Sequence, residues 1–231
     1  MAYLLQPSAK AMSCVEWIGE ATAEFHDILD VEAPRLLDEV TADDYRRYLA
    51  QLYGFICPLE YALARTPGLD RYVGLRKFHK HELLRRDLSA LRMSADEIAR
   101  IPQCAIPSFQ CPEEALGWAY PIERSTLRHG DLYRHLAARL PGEIAFASSY
   151  LKCYFGAVGE AWQEFSRALD TFAHPTRRAL AVLDGARASF RRLRGWRFLR
   201  TSHRPLGRVA HLAPRVLGSA ERRLAHGRVP T

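Results

Sequence analysis

Across residues 13–199 the apolar side chains of this chain recur at steps of three and four, and no run alternates long enough to make a strand. That period restricts the chain to helix-on-helix packing, each helix turning one apolar stripe toward its neighbours. With 231 residues, 48% of them hydrophobic and 26% charged, the chain can bury a full core without disulfide or metal staples. The expectation is one all-α domain, a helical bundle of seven to nine helices over residues 13–199. It lies between an N-terminal extension, residues 1–12, and a tail, residues 200–231.

Local signals mark the helices. Residues 13–29 carry Val15, Ile18, Thr22, Phe25, His26 and Leu29 on one stripe, and Pro34 interrupts the connection that follows. Thr41 with Asp44 reads as a capping box opening a long helix with Pro58 inside it. Residues 75–92 predict a charged helix, and Ser94 with Glu97 a second capping box. The segment IPQCAIPSFQCP should be an extended connection, after which Pro112 starts a helix at its N1 position. That helix is expected to continue, kinked at Pro121 or Gly130, to Leu140, where Pro141-Gly142 ends it. SSYLKCYFGAVGEAWQEFSRALD predicts one glycine-containing helix, and Pro175 begins the last, which ends near Leu199.

Charge is unevenly spread. Residues 187–231 hold twelve arginines against the single acid Glu221, whereas the preceding residues hold 21 basic and 25 acidic side chains. The folded body therefore offers no basic face to a polyanion, and sequence-specific nucleic-acid binding is not expected. The basic tail reads as a solvated, mobile extension, or else as an anchor for an acidic partner or anionic surface. No stretch reaches the ~18 apolar residues of a membrane span, and the opening MAYLLQPSAK lacks the pattern of a secretory leader. Five scattered cysteines, Cys14, Cys57, Cys104, Cys111 and Cys153, suit a reduced compartment, with the cytoplasm expected.

Few residues stand out for chemistry. His79-Lys80-His81 points its two rings to different helix sides and reads as a solvated basic face. Cys104 and Cys111 lack a second pair to complete a zinc set, and Cys153 reads as a small core residue. No phosphate-cradling glycine loop or GxSxG elbow occurs. His26 differs, because it shares the apolar stripe of the first helix. It is either a partly buried histidine satisfied by a neighbour or a neutral imidazole ligating a metal or heme iron.

Four segments in order then resemble the heme oxygenase family, of the bacterial, phytochrome-associated, biliverdin-producing type. EATAEFHDILD resembles its proximal-histidine helix, and YPIERSTLRHGDLYRHL its distal helix, a Tyr-x-x-Glu-Gly-Ser-x-Leu-Gly-Gly run. SSYLKCYFGAVGEAWQEF and ARASFRRLRGWRFL resemble the helices that follow. The resemblance implies heme as substrate and cofactor, opened to biliverdin, carbon monoxide and iron with dioxygen and electrons from an external donor. A phytochrome-linked pathway would consume the product. It implies His26 as axial iron ligand and Tyr120 and Arg167 near the propionates. It implies Ser125 or Asp131 in a distal water network.

The carry-over has gaps. Tyr120, Glu123, Ser125 and Leu127 match the distal motif, but Arg124 stands at its first glycine and Arg128-His129 at its glycine pair. The basic residue usual about seven positions before the histidine is Gly19 here. Three outcomes follow for Arg128 and His129 beside the pocket. Gly130 makes the close approach instead, with Asp131 organising water. Alternatively His129 reaches the iron as a second axial ligand. In the third outcome the two side chains fill the pocket, leaving a fold without heme and a non-catalytic, partner-binding protein.

Overall fold

A computed structural model describes residues 12–26, 40–74, 78–172 and 176–201, with side chains through 196. Among these residues nine α-helices and no strand occur: α1 (Cys14–Ala21), α2 (Ala42–Ala64), α3 (Lys80–Ala90), α4 (Ala95–Ala99), α5 (Pro112–Ser125), α6 (His129–Arg139), α7 (Pro141–Phe146), α8 (Val158–Asp170) and α9 (Arg177–Thr201). The all-α expectation holds. The expected extension and basic tail, like the turn at Pro34 and Leu29 of the first stripe, lie outside the described residues.

The capping boxes form as their spacing requires. Ser13, Thr41 and Ser94 each accept the amide three residues on, while Glu16, Asp44 and Glu97 reach back. Pro58 has no amide for the carbonyl of Gly54, and the helix nevertheless runs through it. The amide of Cys104, on the extended connection, donates to that carbonyl at 2.7 Å.

Helices α5 and α9 form the tightest contact. A Cβ on Gly117 would stand 2.2 Å from the carbonyl oxygen of Val182, and one on Gly185 2.6 Å from that of Glu114. Two glycines facing each other let the backbones meet, and Ser189 then donates to the carbonyl of Trp118 at 2.8 Å. Around this pair Ile18, Tyr45, Leu49, Phe55, Leu88, Leu116, Leu169 and Val182 make one buried core. Helix α1 is pinned at both ends: Val15 N donates to Asp170 of α8 at 3.0 Å, and Arg187 of α9 donates to Ala21 O at 3.3 Å.

Three boundaries differ from expectation. The charged helix begins at Lys80, not 75, because Glu60 of α2 accepts the amides of Lys80 and His81 and so sets the first turn there. The helix from Pro112 does not run to Leu140. It ends at Ser125, gives way to a 3₁₀ turn (Thr126–Arg128) and restarts as α6, and Pro141 opens a further short helix. The stretch from 148 is helical only from Val158. Asp87 holds the amides of Ser149 and Tyr150, each at 2.8 Å, and Gly156 turns left-handed at φ +81°. Turns 147–157 therefore pack against the 3₁₀ turn of the distal segment.

Candidate functional site

Helix α1 stops at Thr22 and residues 23–26 resume the helical path to His26. At that break the buried Thr22 hydroxyl donates to the carbonyl of Ile18 at 2.6 Å. The same oxygen lies 3.1 Å from Nε2 of His26. The half-buried His26 ring tilts against Phe190 of α9 at 5.9 Å, and Phe25 stacks on that same ring at 5.4 Å. Tyr120 of α5 packs on the same Phe190. Its ring meets Trp162 and Phe190 at 6.0 and 6.2 Å. Its hydroxyl, 3.5 Å from where a Cβ on Gly19 would be, is within hydrogen-bond reach of Thr22 and Arg124. Burial pushes the Tyr120 hydroxyl pKa up, against the nearby Arg124 charge.

The 3₁₀ turn sends its flanking side chains in different directions. Arg128 lies at the surface, 3.8 Å from Asp131, and Asp131 is itself exposed and paired with Arg134 at 2.5 Å. His129 turns inward and is 4% exposed. Its ring packs on Tyr150 at 4.7 Å, with Nδ1 3.7 Å from Sγ of Cys153. Burial, reinforced by the Lys80 charge, pushes His129 down to about 3, and burial pushes the Cys153 thiol up to about 11. Both are neutral at pH 7, so this pair is not an activated thiolate. Ser125 donates to the carbonyl of Ile122 at 2.7 Å and stands within reach of Tyr150. Nothing lies within 4 Å of where a Cβ on Gly130 would stand.

The structure thus brings His26 and Tyr120 together and sets Ser125 and His129 against turns 147–157. Asp131, Arg128 and Arg167 are at the surface, Arg167 in the last turn of α8. Sequence reasoning missed a buried cation. Lys80, expected on a solvated basic face, is 1% exposed. It is buried because Nζ donates to Glu123 Oε1 at 2.6 Å and to the Tyr154 hydroxyl at 2.9 Å. Tyr154 in turn donates to Glu123 Oε2 at 3.1 Å, closing a ring of three groups beneath the distal segment. Burial works against the Lys80 charge, but Glu123 and Tyr154 outweigh it and raise its pKa. Its neighbour His81 is drawn to Glu60, with Nδ1 at 2.5 Å. The only sequence signal for Lys80 was its position one turn before Leu84, on the buried side of a short helix.

An all-α bundle in which a half-buried imidazole and a buried tyrosine pack on one phenylalanine, beside a helix broken by a 3₁₀ turn, is the class the geometry defines. A model of the family described as heme oxygenase matches residues 13–197, and the chain belongs to the heme oxygenase family. The solved structures include one titled as the NO- and CO-bound heme oxygenase from Neisseria meningitidis. Its fold matches with a TM-score of 0.63 at 19% identity, covering 80% of this chain and 92% of that one. No curated protein matches the chain in sequence. Among the described residues no helix is long and apolar enough to cross a membrane.

Proposed function

We propose that this chain binds heme through His26 and opens it oxidatively to biliverdin, carbon monoxide and iron, with electrons from an external donor. The observation that carries this reading is the placement of His26. His26 lies on the helical path that resumes after the pinned α1, half-buried, with Phe25 and Phe190 beside it. The donor set fits heme: an imidazole nitrogen for the iron, Phe25, Phe190 and Trp162 for an apolar macrocycle, and Arg124 and Arg187 as cations near α1. Bound heme would supply both the iron that takes dioxygen and the ring that is opened.

The chain's own residues have separable tasks in this reading. His26 holds the iron side. The open space at Gly130 admits a close approach of backbone, which a Cβ would deny. Ser125 and Asp131 hold water near the turn, Ser125 through the lone pair its two present contacts leave over. Tyr120, with its hydroxyl already engaged by Thr22 and Arg124, fixes the helix that carries His26. Arg124 then joins Arg128 and Arg167 as a cation for the substrate's carboxylates. The packing of His129 on Tyr150 and Cys153 argues against its use as a second axial ligand. The phytochrome-linked subtype, a cytoplasmic location and replacement of the motif glycines by Arg124, Arg128 and His129 belong to this proposal too. So does division into a 1–12 extension, a 13–199 domain and a 200–231 tail.

The test is single turnover of hemin by the purified chain with an artificial reductant under air. Bleaching of the Soret band with growth of a biliverdin band supports the reading. A stable hemin complex that never bleaches would leave a heme binder without the reaction.

A further inference from the structure

We infer that Thr22 is a positioning residue that holds the His26 imidazole through Nε2, so that this nitrogen becomes an iron ligand only when the ring leaves the Thr22 hydroxyl. The inference rests on the heme reading above for its consequence, though not for the contact itself.

The direction of each hydrogen bond follows from counting protons. A threonine hydroxyl has one proton and two lone pairs. The Thr22 oxygen lies 2.6 Å from the carbonyl oxygen of Ile18, a separation at which two oxygens need a proton between them. Its single proton is therefore committed to Ile18, whose carbonyl has lost its helical amide at the break after Ala21. Toward His26, at 3.1 Å, the Thr22 oxygen can only accept. Nε2 must then carry the proton. The Tyr120 hydroxyl stands within reach of Thr22 and of Arg124. Thr22 is fully buried, so water does not compete for its oxygen.

A nitrogen that carries a proton cannot ligate iron. Heme binding through Nε2 must break the contact with Thr22 and move the proton off that nitrogen. Removing the hydroxyl without changing side-chain volume removes that competition. Replacing Thr22 by valine should tighten hemin binding about 2- to 10-fold, the range expected for loss of one competing hydrogen bond. Thr22→Ser, which keeps the hydroxyl, should bind like wild type.

The experiment has two arms on the full chain. In the first, hemin is titrated into wild type, Thr22→Val and Thr22→Ser, with the dissociation constant read from the Soret band. In the second, imidazole ¹⁵N shifts of His26 are recorded without hemin. The inference expects the Nε2–H tautomer in wild type, its loss in Thr22→Val and tighter hemin binding by that variant only. An Nδ1–H tautomer in wild type, or equal affinities for the valine and serine variants, overturns it. Failure of all three proteins to form a histidine-ligated hemin complex overturns the heme reading instead. The tautomer measurement still decides the contact in that case, and it does so even if the valine variant folds poorly, because it is read on wild type.

Discussion

Lys80 Nζ lies 2.6 Å from Glu123 Oε1 at a point where neither side chain reaches solvent to any extent, at 1% and 7% side-chain exposure. The pair joins the start of α3 to the last turn of α5, directly before the 3₁₀ turn. Tyr154 completes it from turns 147–157, so three separate segments meet on one buried charge pair.

Breaking that pair on one side should be costly. Lys80→Met leaves Glu123 buried without its cation and should destabilise the fold by about 3–5 kcal/mol. Combining it with Glu123→Leu should recover most of that loss, since an apolar pair of similar volume carries no unpaired charge. Urea denaturation of the four proteins of the cycle measures both numbers. A single substitution costing under ~1 kcal/mol would show that the pair is solvated.

His129 makes stability depend on acid. Its pKa is pushed down to about 3 by burial, whereas in the unfolded chain it is about 6.5. Below pH 6.5 the unfolded chain therefore takes up a proton that the folded one refuses. Stability is fully present above that pH and falls progressively toward pH 3. From this group alone the loss between pH 7 and pH 5 is about 2 kcal/mol. His129→Gln should flatten the melting temperature over that interval, and should leave the spectrum of a hemin complex unchanged if His26 holds the iron as proposed. An equally steep acid dependence in the variant would assign the effect elsewhere.

What could be read from residue order was whatever short-range spacing controls. The capping boxes at Ser13, Thr41 and Ser94, the start at Pro112 and the extended stretch around Cys104 depend on neighbours within four residues, and they form as read. Two of the three misread boundaries are set by a distant partner: Glu60 for the start at Lys80, Asp87 for the turns at Ser149 and Tyr150. The same division holds in the site. His26 and Tyr120, which the family resemblance marks, both pack on Phe190. The burial of Lys80 and the inward turn of His129 depend on side chains distant in sequence, Glu123, Tyr154, Tyr150 and Cys153. A lysine in a run of charged residues carries no local mark of the carboxylate that will meet it.

The glycine contact between α5 and α9 predicts opposite effects for one substitution at two places. Gly117→Ala puts a methyl into the backbone of α9, 2.2 Å from the carbonyl oxygen of Val182. It should cost about 2–3 kcal/mol or more. Gly195→Ala, on the exposed side of α9 with nothing within 4 Å, should instead gain up to about 1 kcal/mol from helix propensity. Thermal melts of the two variants separate close packing from propensity. A neutral Gly117→Ala would mean that the helices lie further apart.

The measurement that bears most directly on the account is the absorption spectrum of His26→Ala reconstituted with hemin, recorded beside wild type with and without added imidazole. The account predicts a histidine-ligated Soret band for wild type and its loss in the variant. Free imidazole should restore the band, and far-ultraviolet circular dichroism should be unchanged throughout. A variant spectrum identical to wild type before imidazole is added would contradict it, because the iron would then be held by some group other than His26.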